Sequence, residues 1–249
     1  MKKKIICLIP ARMNSSRFPG KPMKKINDIP MIEIVYKNVI KNNYLSQTAV
    51  ATCDKEIFKH IKSIGGKAVM TSSFHERASD RCSEALEIIE ENEKIKFDYV
   101  VMVQGDEPMI NEKMITESLE PMLEDSSILV TNLLGKITDL NELNDNNCIK
   151  VIIDENNDAI SFSRKSIRLS NSINNKSLGK QVCVIPFKRD FLIKYNSLKP
   201  TPLEKVESID MLRILEHGLK VKMVRTAFSN QSVDTIDDLR KVENLLKNV

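Results

Sequence analysis

The chain has 249 residues, 41% hydrophobic and 29% charged, enough for a sizeable core in one large domain or in one domain with a smaller lobe. Its apolar runs are short, so no segment is expected to span a bilayer, and residues 5–9, after three lysines, are too few for a signal-peptide core. A net charge of +4 with no Trp and 5% aromatic residues argues against nucleic-acid binding, and five scattered Cys without a CxxC pair argue against a disulfide frame or a zinc site, so a soluble, cytoplasmic protein is expected.

Short apolar runs alternate with 3.6-residue periods through the first half. Residues 4–9 read as a strand, 31–41 as an amphipathic helix, 48–52 as a strand, and 55–64 as a helix stopped by Gly65 and Gly66. A short strand at 67–70, a helix at 78–92, a strand at 99–103, a helix at 112–123 and a strand at 128–133 follow. That rhythm predicts a mainly parallel sheet flanked by helices, an α/β fold. Beyond Leu140 the rhythm changes. Residues 148–153 and 159–163 read as a hairpin around "DENND", and "RLSNSINNKSLGK" as a flexible excursion. A strand at 180–186, a helix at 202–218, a strand at 220–224 and a helix at 236–249 complete the chain. One domain over 1–249 is expected, with a small β-rich excursion around 140–200 and the later segments inserting into or extending the same sheet.

In a parallel α/β sheet, ligands meet the carboxyl ends of the strands. The first strand is followed by "IPARMNSSRFPGKP" (9–22), an aperiodic loop with three cations, Arg12, Arg17 and Lys21. The next strand ends are followed by Asp54, then by His75, Arg77, Asp80 and Arg81, then by Asp106 and Glu107. Cations beside an acidic pair suit a nucleoside triphosphate with Mg²⁺: Arg and Lys neutralise phosphate oxygens, and carboxylates hold the hard metal. Each piece also has a plainer reading. Arg12 and Arg17 are surface charges in that reading, Asp106 to Pro108 cap a helix, and "SVDTIDDL" (232–239) is an N-cap signal.

Taken together, the stretches at 9–22, "VQGDEPMI" (103–110), "FSR" (162–164), "PLEKVESIDMLR" (202–213) and "VDT" (233–235) resemble the CMP-3-deoxy-D-manno-octulosonate (CMP-Kdo) synthetases nearly end to end. The resemblance implies a Rossmann-like nucleotidyltransferase (GT-A-like) fold with a small β-rich dimerisation lobe, a homodimer, CTP and Mg²⁺. It also implies activation of an acidic eight-carbon sugar for lipopolysaccharide biosynthesis. Carried over by residue, Arg12, Ser15, Arg17 and Lys21 would lie along the triphosphate, and Ala11 and Gln104 by the base or ribose. Asp106 and Asp234 would bind Mg²⁺, with Arg12, Lys21 and Asp106 carrying catalysis. His75, Arg77, Arg81, Arg164, Gln181, Glu204 and Glu207 would face the sugar acid.

The departures from that family fall on the sugar side. "HERASDR" (75–81) has Ala78 and Ser79 where members carry Gly and Thr, and "KQVCVIPFKR" (180–189) has Gln181 and Ile185 where they carry His and Tyr. Arg168 stands where Pro is usual. Kdo is the leading acceptor. A modified ulosonate, a small phosphonate or another acid is the alternative, Arg77, Arg164 and Lys180 being available to an anion. A non-catalytic CTP-binding relative is the competing class.

Overall fold

The computed structural model describes residues 3–15, 17–138, 140–167 and 176–247. These group into two compact units, Met1–Thr116 with Asn230–Val249, and Glu117–Ser229. Arg168, most of the Asn- and Ser-rich stretch and the last two residues of the predicted C-terminal helix lie outside the described residues. None of the described helices is long and apolar enough to cross a membrane.

In the first unit, β1 (Ile5–Ala11) is buried at every position, as a strand covered on both faces should be, which explains its unbroken apolar run. A single 3-10 turn (Lys21–Met23) and a tight hairpin of β2 (Lys25–Ile26) and β3 (Ile29–Pro30) lead into α1 (Met31–Val39). The hairpin turns on Asn27 and Asp28, both at positive φ (49° and 66°), the backbone that matches strand twist and that these residue types tolerate. Then follow β4 (Gln47–Thr52), α2 (Lys55–Ser63), β5 (Ala68–Met70), α3 (Ala78–Glu93), β6 (Tyr99–Val103) and α4 (Glu112–Glu124). Strands β6, β1, β4 and β5 lie side by side in that order, all parallel. The α/β expectation holds, and the carboxyl ends of all four strands therefore face one way.

The second unit holds β7 (Thr131–Gly135), α5 (Leu140–Asn144), β8 (Lys150–Ile153), β9 (Ala159–Ser163), β10 (Leu178–Val182), β11 (Val184–Lys188), α6 (Arg189–Ser197), α7 (Pro202–Glu207), α8 (Asp210–Glu216) and β12 (Lys222–Arg225). The predicted hairpin is present as the antiparallel pair β8–β9. Strands β12, β7, β10, β8 and β9 form a sheet of their own, mostly antiparallel, rather than extending the first. Two predicted elements are corrected. The strand at 180–186 divides at Cys183 into β10 and β11, because Asn132 of β7 inserts its amide there and donates to Val182 O (2.7 Å) and Val184 O (3.4 Å). The helix at 202–218 divides because Ser208 takes a left-handed backbone (φ 55°) that ends α7, and Ile209 is extended before α8. The chain returns to the first unit through α9 (Ile236–Lys247).

Candidate active site

The loop after β1 is folded. Met13 N donates to Asp54 Oδ2 (2.8 Å), tying the loop to the end of β4. Met13 O accepts from Ser15 N (3.0 Å) and Gly20 N (2.9 Å), and Gly20 sits at φ +70°, where an L side chain would be strained. Phe18 is the anchor, packed with Ile26, Met31, Val233, Leu239 and Val242. Burying that one ring fixes the loop and leaves Arg17 and Lys21 on either side of it. Ser15 Oγ accepts from Phe18 N (3.4 Å), Ala11 is buried at the end of β1, and Arg12 is exposed.

Past β6 the chain passes Gln104, half-buried, and Gly105, where a Cβ would come within 3.1 Å of Ile32 and 3.2 Å of Pro10 O. A side chain there would crowd Ile32 and the backbone of β1. Asp234 arrives from the far end of the chain on a strap held at two points. Val233 N donates to Asp106 O (3.0 Å), and Asn230 Nδ2 donates to Glu107 Oε2 (2.8 Å). Glu107 is 1% exposed, so of the two adjacent acids only Asp106 turns to the loop. Asp238 secures the other side of Asp234 by accepting from Asp234 N (3.2 Å), Thr235 N (3.0 Å) and Thr235 Oγ1 (2.8 Å), a cap at the start of α9.

The two aspartates converge on one ammonium. Lys21 Nζ is 2.6 Å from Asp106 Oδ2 and 3.1 Å from Asp234 Oδ1, and Arg17 reaches the same Asp234 oxygen at 3.0 Å. Burial works to lower the Lys21 pKa, but the charges and hydrogen bonds of Asp106 and Asp234 outweigh it and hold the ammonium above its ordinary value. Among the described residues, no group of three or more His, Cys, Asp or Glu gathers to hold a metal. Two carboxylates meeting at one cation still fit Mg²⁺, which takes one or two carboxylates and completes its shell with water and substrate phosphates.

Elsewhere in the first unit, His75 Nε2 pairs with Glu84 Oε2 (2.6 Å), which also accepts from Ser72 N (2.7 Å). Arg77 is the residue just before α3. Arg81 is 3% exposed and donates to Thr71 Oγ1 (2.6 Å), Ser72 O (3.2 Å) and His75 O (3.4 Å), so it supports this loop from beneath instead of facing a ligand. In the second unit the structure brings Arg164 and Glu207 together. Glu207 Oε2 accepts from Arg164 N (2.9 Å), and Arg164 Nε donates to Glu207 O (2.7 Å). Glu204 is fully buried, and its carboxylate accepts from Arg213 Nε (2.7 Å) and NH2 (2.6 Å), so it too is a support. Gln181 Nε2 donates to Asn132 Oδ1 (2.6 Å), and Lys180 pairs with Glu142.

Sequence reasoning missed Lys150, fully buried in β8, whose ammonium donates to Asp145 O (2.8 Å) and Arg164 O (2.5 Å) and so ties down the "FSR" segment. Its pKa is lowered, chiefly by burial. Glu84, Asn230 and Asn132 were missed as well. None had a signal, since each acts on residues brought near only by folding.

A parallel sheet with a basic loop after its first strand, and two carboxylates meeting at that loop's lysine, is the arrangement of a nucleotidyltransferase. Residues 6–223 match the model of the cytidylyltransferase family, and the chain belongs to that family. It is 38% identical over 244 residues to a 3-deoxy-manno-octulosonate cytidylyltransferase of Fusobacterium nucleatum, covering 98% of this chain and 97% of that one. It is 36% identical over 250 residues to the enzyme of the same name from Geobacter metallireducens, with 96% of each covered. Among solved structures it is similar to a CMP:2-keto-3-deoxy-manno-octonic acid synthetase complexed with CTP, with a TM-score of 0.85, 32% identity and 99% of each chain covered.

Proposed function

We propose that this chain transfers the cytidylyl group of CTP to 3-deoxy-manno-octulosonate (Kdo) and releases pyrophosphate. The observation that carries the reading is the meeting of Asp106, Asp234 and Lys21 beside the basic loop, in a chain with full-length relatives of that name. In this reading Arg12, Ser15, Arg17 and Lys21 line the triphosphate, while Ala11 and Gln104 stand by the base or ribose. The anomeric hydroxyl of the acceptor attacks the α-phosphorus, its proton leaves to solvent, and the bond to the β-phosphate oxygen breaks in line. Arg12 and Lys21 stabilise the charge that builds on departing pyrophosphate. Asp106 and Asp234 would hold Mg²⁺, which supplies neutralisation of phosphate charge and a lowered pKa for a bound hydroxyl.

On the acceptor side, Arg77, Arg164, Lys180 and Gln181 are the groups offered to the sugar acid, with His75 and Glu207 orienting their neighbours. Arg81 and Glu204 act through the loops they brace. Cytoplasmic location, a homodimer and a place in lipopolysaccharide biosynthesis belong to the same proposal. A second acceptor has one feature in its favour: Gln181 and the buried Ile185 stand at the positions where members of the family it resembles carry His and Tyr. The alternative is thus a modified ulosonate or a small phosphonate. Pyrophosphate release with CTP and Mg²⁺ across a panel of sugar acids and phosphonates tests all of this. Kdo should be turned over fastest. A rate at least tenfold higher with another acid overturns Kdo, and CTP binding without turnover of any acid overturns the enzyme.

A further inference from the structure

We infer that Lys21 is the resident cation of the Asp106–Asp234 pair, and that a divalent metal gains the pair only when a triphosphate arrives to take the lysine. The inference rests on the reading of these aspartates as the metal site for CTP. Lys21 Nζ stands 2.6 Å and 3.1 Å from one oxygen of each carboxylate, and Arg17 lies 3.0 Å from the same Asp234 oxygen. The side chains of Lys21, Asp234 and Asp106 are 11%, 13% and 20% exposed, so bulk water screens this cluster weakly. Two carboxylates matched by two cations carry no net negative charge with which to draw in a free metal ion. No third acid joins the cluster among the described residues, so a metal entering alone would find two ligands already engaged. Mg²⁺ gives up its water reluctantly, and two engaged carboxylates are a poor exchange for it.

A triphosphate changes each of these terms. It brings oxygen ligands for the metal, and it brings anionic oxygens to which the ammonium can transfer. The backbone need not move, since a lysine is a point charge on a flexible four-carbon stem and can turn from carboxylate to phosphate. The loop that carries it is pinned by Phe18 and by the Met13–Asp54 bond, which leaves the side chain as the moving part. When pyrophosphate leaves with the metal, Lys21 returns to the aspartates and the site is reset. Lys21 therefore makes the enzyme select the metal–nucleotide complex over either component.

Equilibrium dialysis against Mn²⁺ tests this, because any excess on the protein side is protein-bound metal. Wild type should hold excess Mn²⁺ with CTP and almost none without it. Lys21→Met should retain Mn²⁺ without CTP at least tenfold more tightly than wild type. Arg17→Leu, at an exposed position less able to disturb folding, should show a smaller gain in the same direction. Wild type binding Mn²⁺ equally well with and without CTP overturns the exchange, as does absence of any gain in both variants with melting curves like wild type. Binding of CTP with no Mn²⁺ retained overturns the metal site itself and this inference with it, a result distinguishable from loss of the exchange alone.

Discussion

Lys150 and Lys21 are both lysines tucked inside this protein, and their surroundings push them in opposite directions. Lys21 meets two carboxylates and is held charged, whereas Lys150 meets two backbone carbonyls and its pKa falls, chiefly through burial. For Lys150 the unfolded chain holds the proton more tightly than the folded one. Stability should therefore rise with pH through the window between its depressed pKa and the ordinary lysine value of 10.5. Relative to Lys150→Met, wild type should gain stability as pH climbs through that window, read from denaturant midpoints. From the proposed roles of the aspartates, Asp106→Asn and Asp234→Asn should each lower kcat by about 10²-fold or more with the circular dichroism spectrum unchanged. Lys21 and Asp106 were legible as residues, because each stands in a short motif right after a strand. Asp234 was not, since in isolation "VDT" reads as a helix cap, and only the resemblance linked it to Asp106.

Among elements, the α7–α8 turn shows what periodicity leaves out. Apolar spacing runs through 202–218 without a break, yet Ser208 is left-handed and the helix parts there. What holds the two pieces together is a buried pair. Arg213 donates twice to Glu204, and its guanidinium lies 4.7 Å from the centre of the Tyr195 ring. Glu204→Ala would strand a buried guanidinium and should cost about 3–5 kcal/mol, measured by urea unfolding. At the end of β6 a different constraint applies. Gly105→Ala would push a methyl to 3.1 Å from Ile32 and should destabilise by about 1–3 kcal/mol, since a packed core resists added volume. The alternating strands and helices of the first unit were legible because the strands are continuous apolar runs buried on both faces and the helices bury one periodic face. The β10–β11 break was not, as it depends on Asn132, distant in sequence, and helix α6 was not, its Tyr195 hydroxyl bonding to Asp210 O in a later element.

Over the whole molecule, all five cysteines are free, two of them buried and three half-buried. Burial pushes the Cys148 thiol up to about 11, and Cys7 and Cys82 are fully buried. Reductant should therefore leave Tm unchanged, and these three thiols should resist iodoacetamide at pH 8 until the protein is unfolded, as mass spectrometry of labelled peptides would show. The α/β architecture, the basic loop and the resemblance to nucleotidyl transfer from CTP follow from the sequence alone, because local periodicity and contiguous motifs survive being read in one dimension. The tertiary structure decided the rest: that most of the later strands make a second sheet, that Arg81 and Glu204 are braces, and that Lys21 lies between two aspartates 128 residues apart in the chain. These depend on which distant groups share the low-dielectric interior, where an unpaired charge is costly, and linear spacing carries no record of that.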